Sequence, residues 1–139
     1  MALLEEPITH EVIGGMYTVH GTMGYGFLES PYVGALEHEF RKRGLEVVRE
    51  APIAVHYDGI VVGSYKVDLL VERRVIVEVK ACSPHQDHSR QVLNYLRCSE
   101  LEVGLLLYFQ RSVTFKRFIF RNELKRHKNQ RAATKPPRS

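Results

Sequence analysis

Apolar residues in the N-terminal third recur every three or four positions, and further along the chain they begin to alternate. Val12, Ile13, Met16, Val19, His20 and Met23 fall on one helical stripe, so a helix is predicted over Thr9–Met23, with Thr9 as its N-cap. Gly24-Tyr25-Gly26 interrupts it. A second helix is predicted over Leu28–Arg43, with Leu28, Tyr32, Ala35, Leu36 and Phe40 as its buried stripe. Pro31 is tolerated in the first turn, and Gly44 marks the stop.

The period then shifts to two. Glu46–Tyr57 reads as a strand whose Pro52 demands an edge position or a bulge. Asp58-Gly59 is a hairpin turn leading into a long strand, Ile60–Val71. Glu72-Arg73-Arg74 turns the chain into a third strand, Val75–Lys80, and Ser83-Pro84 ends the run. A helix over Asp87–Cys98 follows, then strands over Val103–Phe109 and Val113–Phe120. The order ααβββαββ predicts an α/β sandwich around a mixed sheet.

Composition narrows the class. With 139 residues, 44% hydrophobic and 26% charged, the chain suits one globular domain. No apolar run approaches the ~18 residues of a membrane span, and Met1–Thr9 lacks the pattern of a signal peptide. Cys82 and Cys98 show no paired spacing and read as ordinary thiols of a reducing, cytoplasmic compartment. The net charge of +4 is unevenly placed. Residues 121–139 carry seven Lys/Arg against the one acid Glu123, so the rest of the chain is slightly acidic. A domain over 1–123 and a basic, disordered tail over 124–139 are expected, the tail either condensing on phosphates or merely solvated.

The candidate chemistry sits on the second hairpin. A turn centred on Arg73 sets Val71 against Val75, Leu69 against Val77 and Asp68 against Glu78, with Lys80 on the same face. Val67, Leu69, Val77 and Val79 are expected on the opposite, apolar face. Two opposed, partly desolvated carboxylates repel, and a divalent cation relieves that repulsion. Oxygen ligands suit Mg2+ or Mn2+, which can polarise a phosphodiester. Lys80 can orient or deprotonate the attacking water, or stabilise charge building on phosphate. Glu29, at the start of the second helix, is a candidate third ligand. Gln91 and Tyr95 project together from the third helix, Gln91 towards a water or phosphate and Tyr95 as support or a stacking surface for a base. His88, one turn earlier, can contact a phosphate or move a proton. His85 and His88 form a weak zinc motif, and His20 reads as a packed, hydrogen-bonded residue.

These residues resemble the PD-(D/E)XK nuclease superfamily: Val67-Asp68 followed by Glu78-Val79-Lys80 matches its strand pair, with Val67 in place of the name-giving Pro. Gly26-Phe27-Leu28-Glu29-Ser30-Pro31-Tyr32 is similar to the signature of the small GxxExxY proteins, and Gln91 to Tyr95 resembles the QxxxY helix motif of many relatives. The resemblance spans Glu11 to Phe120. It implies a restriction-endonuclease-like αβββαβ core with an extra N-terminal helix. It also implies a Mg2+- or Mn2+-dependent nuclease acting on nucleic acid, DNA favoured over RNA, with a homodimer left open. Asp68, Glu78 and Glu29 are then the metal ligands, and Lys80 and Gln91 complete the catalytic set. His88, Tyr95 and Tyr32 are candidate substrate contacts. The competing expectation is a non-catalytic nucleic-acid-binding or regulatory module on the same fold.

Overall fold

The computed structural model describes residues 4–125. Its elements are α1 (Glu6–Met23), α2 (Glu29–Lys42), β1 (Val47–Tyr57), β2 (Ile60–Val71), β3 (Val75–Lys80), α3 (Gln86–Cys98), β4 (Val103–Phe109), β5 (Val113–Ile119) and a final 3-10 turn (Asn122–Leu124). The order is the one that the hydrophobic periods predict. The five strands form one sheet in sequence order, with β3 and β4 parallel and every other pair antiparallel. Only the parallel pair needs a crossover, and α3 supplies it. Helices α1 and α2 cover one face, where Val12, Met16, Leu36 and Phe40 pack on Leu69, Val77, Val79 and Leu107. The other face takes α3, where Val92, Tyr95 and Leu96 pack on Ile76, Leu106 and Tyr108. No helix among the described residues is long and apolar enough to cross a membrane.

Local chemistry accounts for most boundaries. Asp58 and Gly59 both take positive φ, the two-residue turn that matches strand twist, and Tyr57 pairs Ile60 across it. β1 is an edge strand, which accommodates Pro52, and it carries a bulge between Val55 and His56. All three helix starts differ from the prediction, that of α3 by one residue. α1 begins three residues earlier, behind Glu5, because Pro7 fits its first turn. Thr9 is therefore inside the helix rather than its cap: fully buried, it donates to the Glu6 carbonyl and accepts from Arg117. Leu28 is not part of the buried stripe of α2 but the exposed residue before it, at 82% exposure.

The expected tail also begins too early. Lys125 is buried, and its Nζ donates to the carbonyls of Ser99 and Leu101 and to Asn122 Oδ1 at 3.0, 2.6 and 2.6 Å. Leaving water pushes its pKa down to about 8. The domain therefore extends at least to Lys125, and the remainder of the predicted tail, 126–139, lies outside the described residues.

Candidate metal and phosphodiester centre

The β2–β3 turn has the expected register. Glu72 and Arg73 take positive φ, and Val71 pairs Val75, Leu70 pairs Ile76 and Leu69 pairs Val77. One step further the ladder stops. The two strands are bridged there by side chains: the Asp68 N–H donates to Glu78 Oε1, and the Val79 N–H donates to Asp68 Oδ2, each at 2.8 Å. Each carboxylate thus stands in for the carbonyl that a continuing ladder would have offered. Asp68 and Glu78 are neighbours as predicted, but they lie between parting strands rather than on one flat face.

The pleat also inverts at this level. Val47, Leu69 and Val71 pack under α1 and α2, whereas Ala51, Ile53 and Val67 pack under α3. Strict alternation would have put Val67 beside Leu69, and that expectation fails. Glu50, which lies between the pairs Arg49–Leu69 and Ala51–Val67, has φ 53°. A left-handed residue turns the strand that follows it, so β1 and β2 exchange faces together at Asp68.

Both carboxyls resist ionisation. Burial pushes Glu78 up to about 7, and the neighbouring charge of Asp68 adds to the rise. The Asp68 N–H and the positive charge of Lys80 oppose it. Burial likewise raises Asp68, against the Val79 N–H and Lys80. Glu78 is 3% exposed, so its charge can draw little on water.

Glu29 approaches from the α2 side. It lines a cleft of about 230 Å³ with Ser30, Val33, Arg49, Glu50 and Asp68. Its charge is felt by both Asp68 and Glu78. Among the described residues, no three Asp, Glu, His or Cys side chains stand together as a group that could hold a metal ion. Helix α2, which begins at Glu29, carries this side chain to the cleft wall. Arg49 is a site residue that the sequence pattern missed. It bonds Ser30 Oγ at 3.4 Å, lies 3.7 Å from Glu37 and stabilises the Asp68 charge. Nothing in a single basic residue on an edge strand signals that role.

From α3, Gln91 and Tyr95 interact with each other, and the phenol senses Glu78 and Asp68. Burial is the main cause that raises its pKa to about 12, so the group remains a neutral donor. Tyr95 is only 4% exposed and packs against Tyr65, so it offers no face to a base. Tyr32 also fails as a substrate contact. It is fully buried, stacked on Phe109 at 4.4 Å, and donates to the Gly24 carbonyl at 2.7 Å. That bond pins the Gly24–Leu28 loop, in which Gly26 has φ 105°, a conformation that favours glycine. Gly26, Glu29 and Tyr32 therefore act together to deliver Glu29 to the cleft. His20 bonds the Gln110 carbonyl at 2.8 Å, the packed role expected of it.

The two carboxylates fit a hard divalent cation. Each has one oxygen tied to a backbone N–H and a second that makes no hydrogen bond among the described residues. Two anions crowded together away from water are the donor set such an ion neutralises.

A family model described as the PD-(D/E)XK nuclease superfamily matches residues 6–119. Among solved structures, the chain is similar to an alkaline exonuclease from Laribacter hongkongensis, at 12% identity over 89% of this chain and 74% of that one, with a TM-score of 0.41. Comparison with curated proteins gives no match.

Proposed function

Because the chain belongs to the PD-(D/E)XK nuclease superfamily, we propose that it is a divalent-metal-dependent nuclease that hydrolyses phosphodiester bonds, those of DNA in preference to RNA. The observation that carries this reading is the Asp68–Glu78 pair, each carboxylate braced by the other strand's N–H and each destabilised as a charge by burial. Asp68 and Glu78 hold Mg2+ or Mn2+, with Glu29 adding negative charge from the cleft. A bound divalent cation supplies Lewis-acid stabilisation of the charge that builds on the phosphate. Lys80, at the end of β3 and electrostatically coupled to both carboxylates, orients the attacking water and stabilises the phosphate oxygens. Burial keeps the Tyr95 hydroxyl a neutral donor beside the pair, with Gln91 next to it on α3. Gly26, Glu29 and Tyr32 support assignment to the GxxExxY group.

The test uses the purified full chain with labelled single- and double-stranded DNA and RNA, in Mg2+, Mn2+ or EDTA. Cleavage is expected only with metal, and is expected to be lost in Asp68→Ala and in Lys80→Ala. Cleavage that persists in EDTA, or survives in both variants, refutes the reading. One observation favours a non-catalytic nucleic-acid-binding module instead: no third ligand joins the pair among the described residues. That alternative predicts salt-sensitive binding without cleavage in any metal, weakened by deleting the basic residues 126–139 but leaving Lys125 in place.

A further inference from the structure

Tyr108 stands beside Lys80 in the parallel register of β3 and β4, with 1% of its surface exposed. Its hydroxyl reaches the start of α3 and lies 2.9 Å from His88 Nδ1. At 1% exposure the hydroxyl hydrogen cannot be given to water, and His88 Nδ1 is its hydrogen-bond partner among the described residues. A buried hydroxyl hydrogen left without an acceptor is costly, so the Tyr108 O–H donates to His88 Nδ1. With Nδ1 as acceptor, the neutral imidazole carries its hydrogen on Nε2. Burial, Lys80 and His85 all favour that neutral form. The contact of Nε2 is the exposed Cys82 thiol at 3.9 Å, a weak partner that a stronger acceptor displaces. The ring is thus held at Nδ1, its Nε2–H has the weak Cys82 contact as its partner among the described residues, and the ring lies within reach of the Lys80 charge.

We infer that His88, fixed by Tyr108 as the Nε2–H tautomer, donates that hydrogen to a phosphate oxygen of the nucleic-acid strand bound beside Lys80. Tyr108 is a positioning residue and touches no substrate. The inference rests on the nuclease reading and adds a phosphate contact to it. Tyr108 escapes a search of the sequence because it lies in the apolar run Val103–Phe109. The one available signal is a phenol in a fully buried strand, whose hydroxyl needs a partner.

Two measurements test it. Imidazole 15N–1H correlation spectra of the full chain, without substrate, are expected to show the His88 hydrogen on Nε2, and a tautomer mixture in Tyr108→Phe. Binding of a phosphorothioate single-stranded oligonucleotide in EDTA is expected to weaken about tenfold or more in His88→Ala, as for a lost hydrogen bond to a charged group. His88→Gln, whose amide nitrogen falls near Nε2, is expected to recover most of the binding, whereas His88→Asn, whose nitrogen falls near Nδ1, is not. An Nδ1–H tautomer in the native protein, or an unchanged tautomer in Tyr108→Phe, overturns the role of Tyr108. A native chain that binds and a His88→Ala variant that binds equally well overturn the phosphate contact alone. A native chain that binds no oligonucleotide overturns the nuclease reading and the inference with it.

Discussion

Replacing Glu78 by Gln separates the charge of the centre from its hydrogen bonding. The amide keeps an oxygen where Oε1 accepts the Asp68 N–H, so the bridge between β2 and β3 is retained. What disappears is a buried acid whose pKa lies at about 7 instead of the ordinary 4.5. Between those values the folded protein holds a proton that the unfolded chain has released, so stability falls as pH rises through this window. The full fall amounts to about 3 kcal/mol for this one group. Asp68 is shifted in the same direction but is present in both proteins, so it largely cancels in the comparison. In EDTA, the Gln variant is therefore expected to match the native chain at pH 4 and to exceed it by about 3 kcal/mol at pH 8, roughly 10 °C in Tm for a domain of this size. Urea unfolding at the two pH values reads the difference directly. Mn2+ at pH 8 is expected to restore the native protein, since an ion that binds only the folded state stabilises it by mass action, and to leave the variant unchanged. A stability difference that is the same at both pH values, or a variant that is less stable at pH 8, refutes the claim that Glu78 is an uncompensated buried charge.

Two further substitutions examine how the centre is held. Tyr32→Phe keeps the ring against Phe109 but removes the bond to the Gly24 carbonyl. It is expected to lower stability by about 1 kcal/mol, measured by urea unfolding, and to raise hydrogen exchange in residues 24–28. Gly104→Ala places a Cβ 2.8 Å from Val92 Cγ1, where α3 packs on β4. It is expected to destabilise by about 1–3 kcal/mol in the same measurement, with cleavage falling as α3 and its Gln91 shift.

Several features of this protein are local and could be read before any coordinates. Asp58-Gly59 suits a two-residue turn because its backbone angles need residues that tolerate positive φ. The turn at Arg73 sets the register from Val71–Val75 to Leu69–Val77, which brings Asp68 next to Glu78 by counting alone. Helical and alternating periods locate every long element to within a few residues, because each must bury one face.

Other features depend on what arrives from elsewhere in the chain. The pleat inverts at Asp68 because Glu50 on the neighbouring strand adopts a left-handed conformation, and no period within β2 encodes that. Tyr32 and Tyr95 share motifs with site residues, but α2 and α3 dock so that both rings are buried, and only packing decides which side of a motif meets solvent. The partnership of Tyr108 with His88 joins a strand to a helix start 20 residues apart in sequence. The sequence alone determined which carboxylates meet, because a tight hairpin makes that a matter of counting. The tertiary structure decided how they meet: strands that part at Asp68 turn two surface acids into a buried pair whose charge must be neutralised.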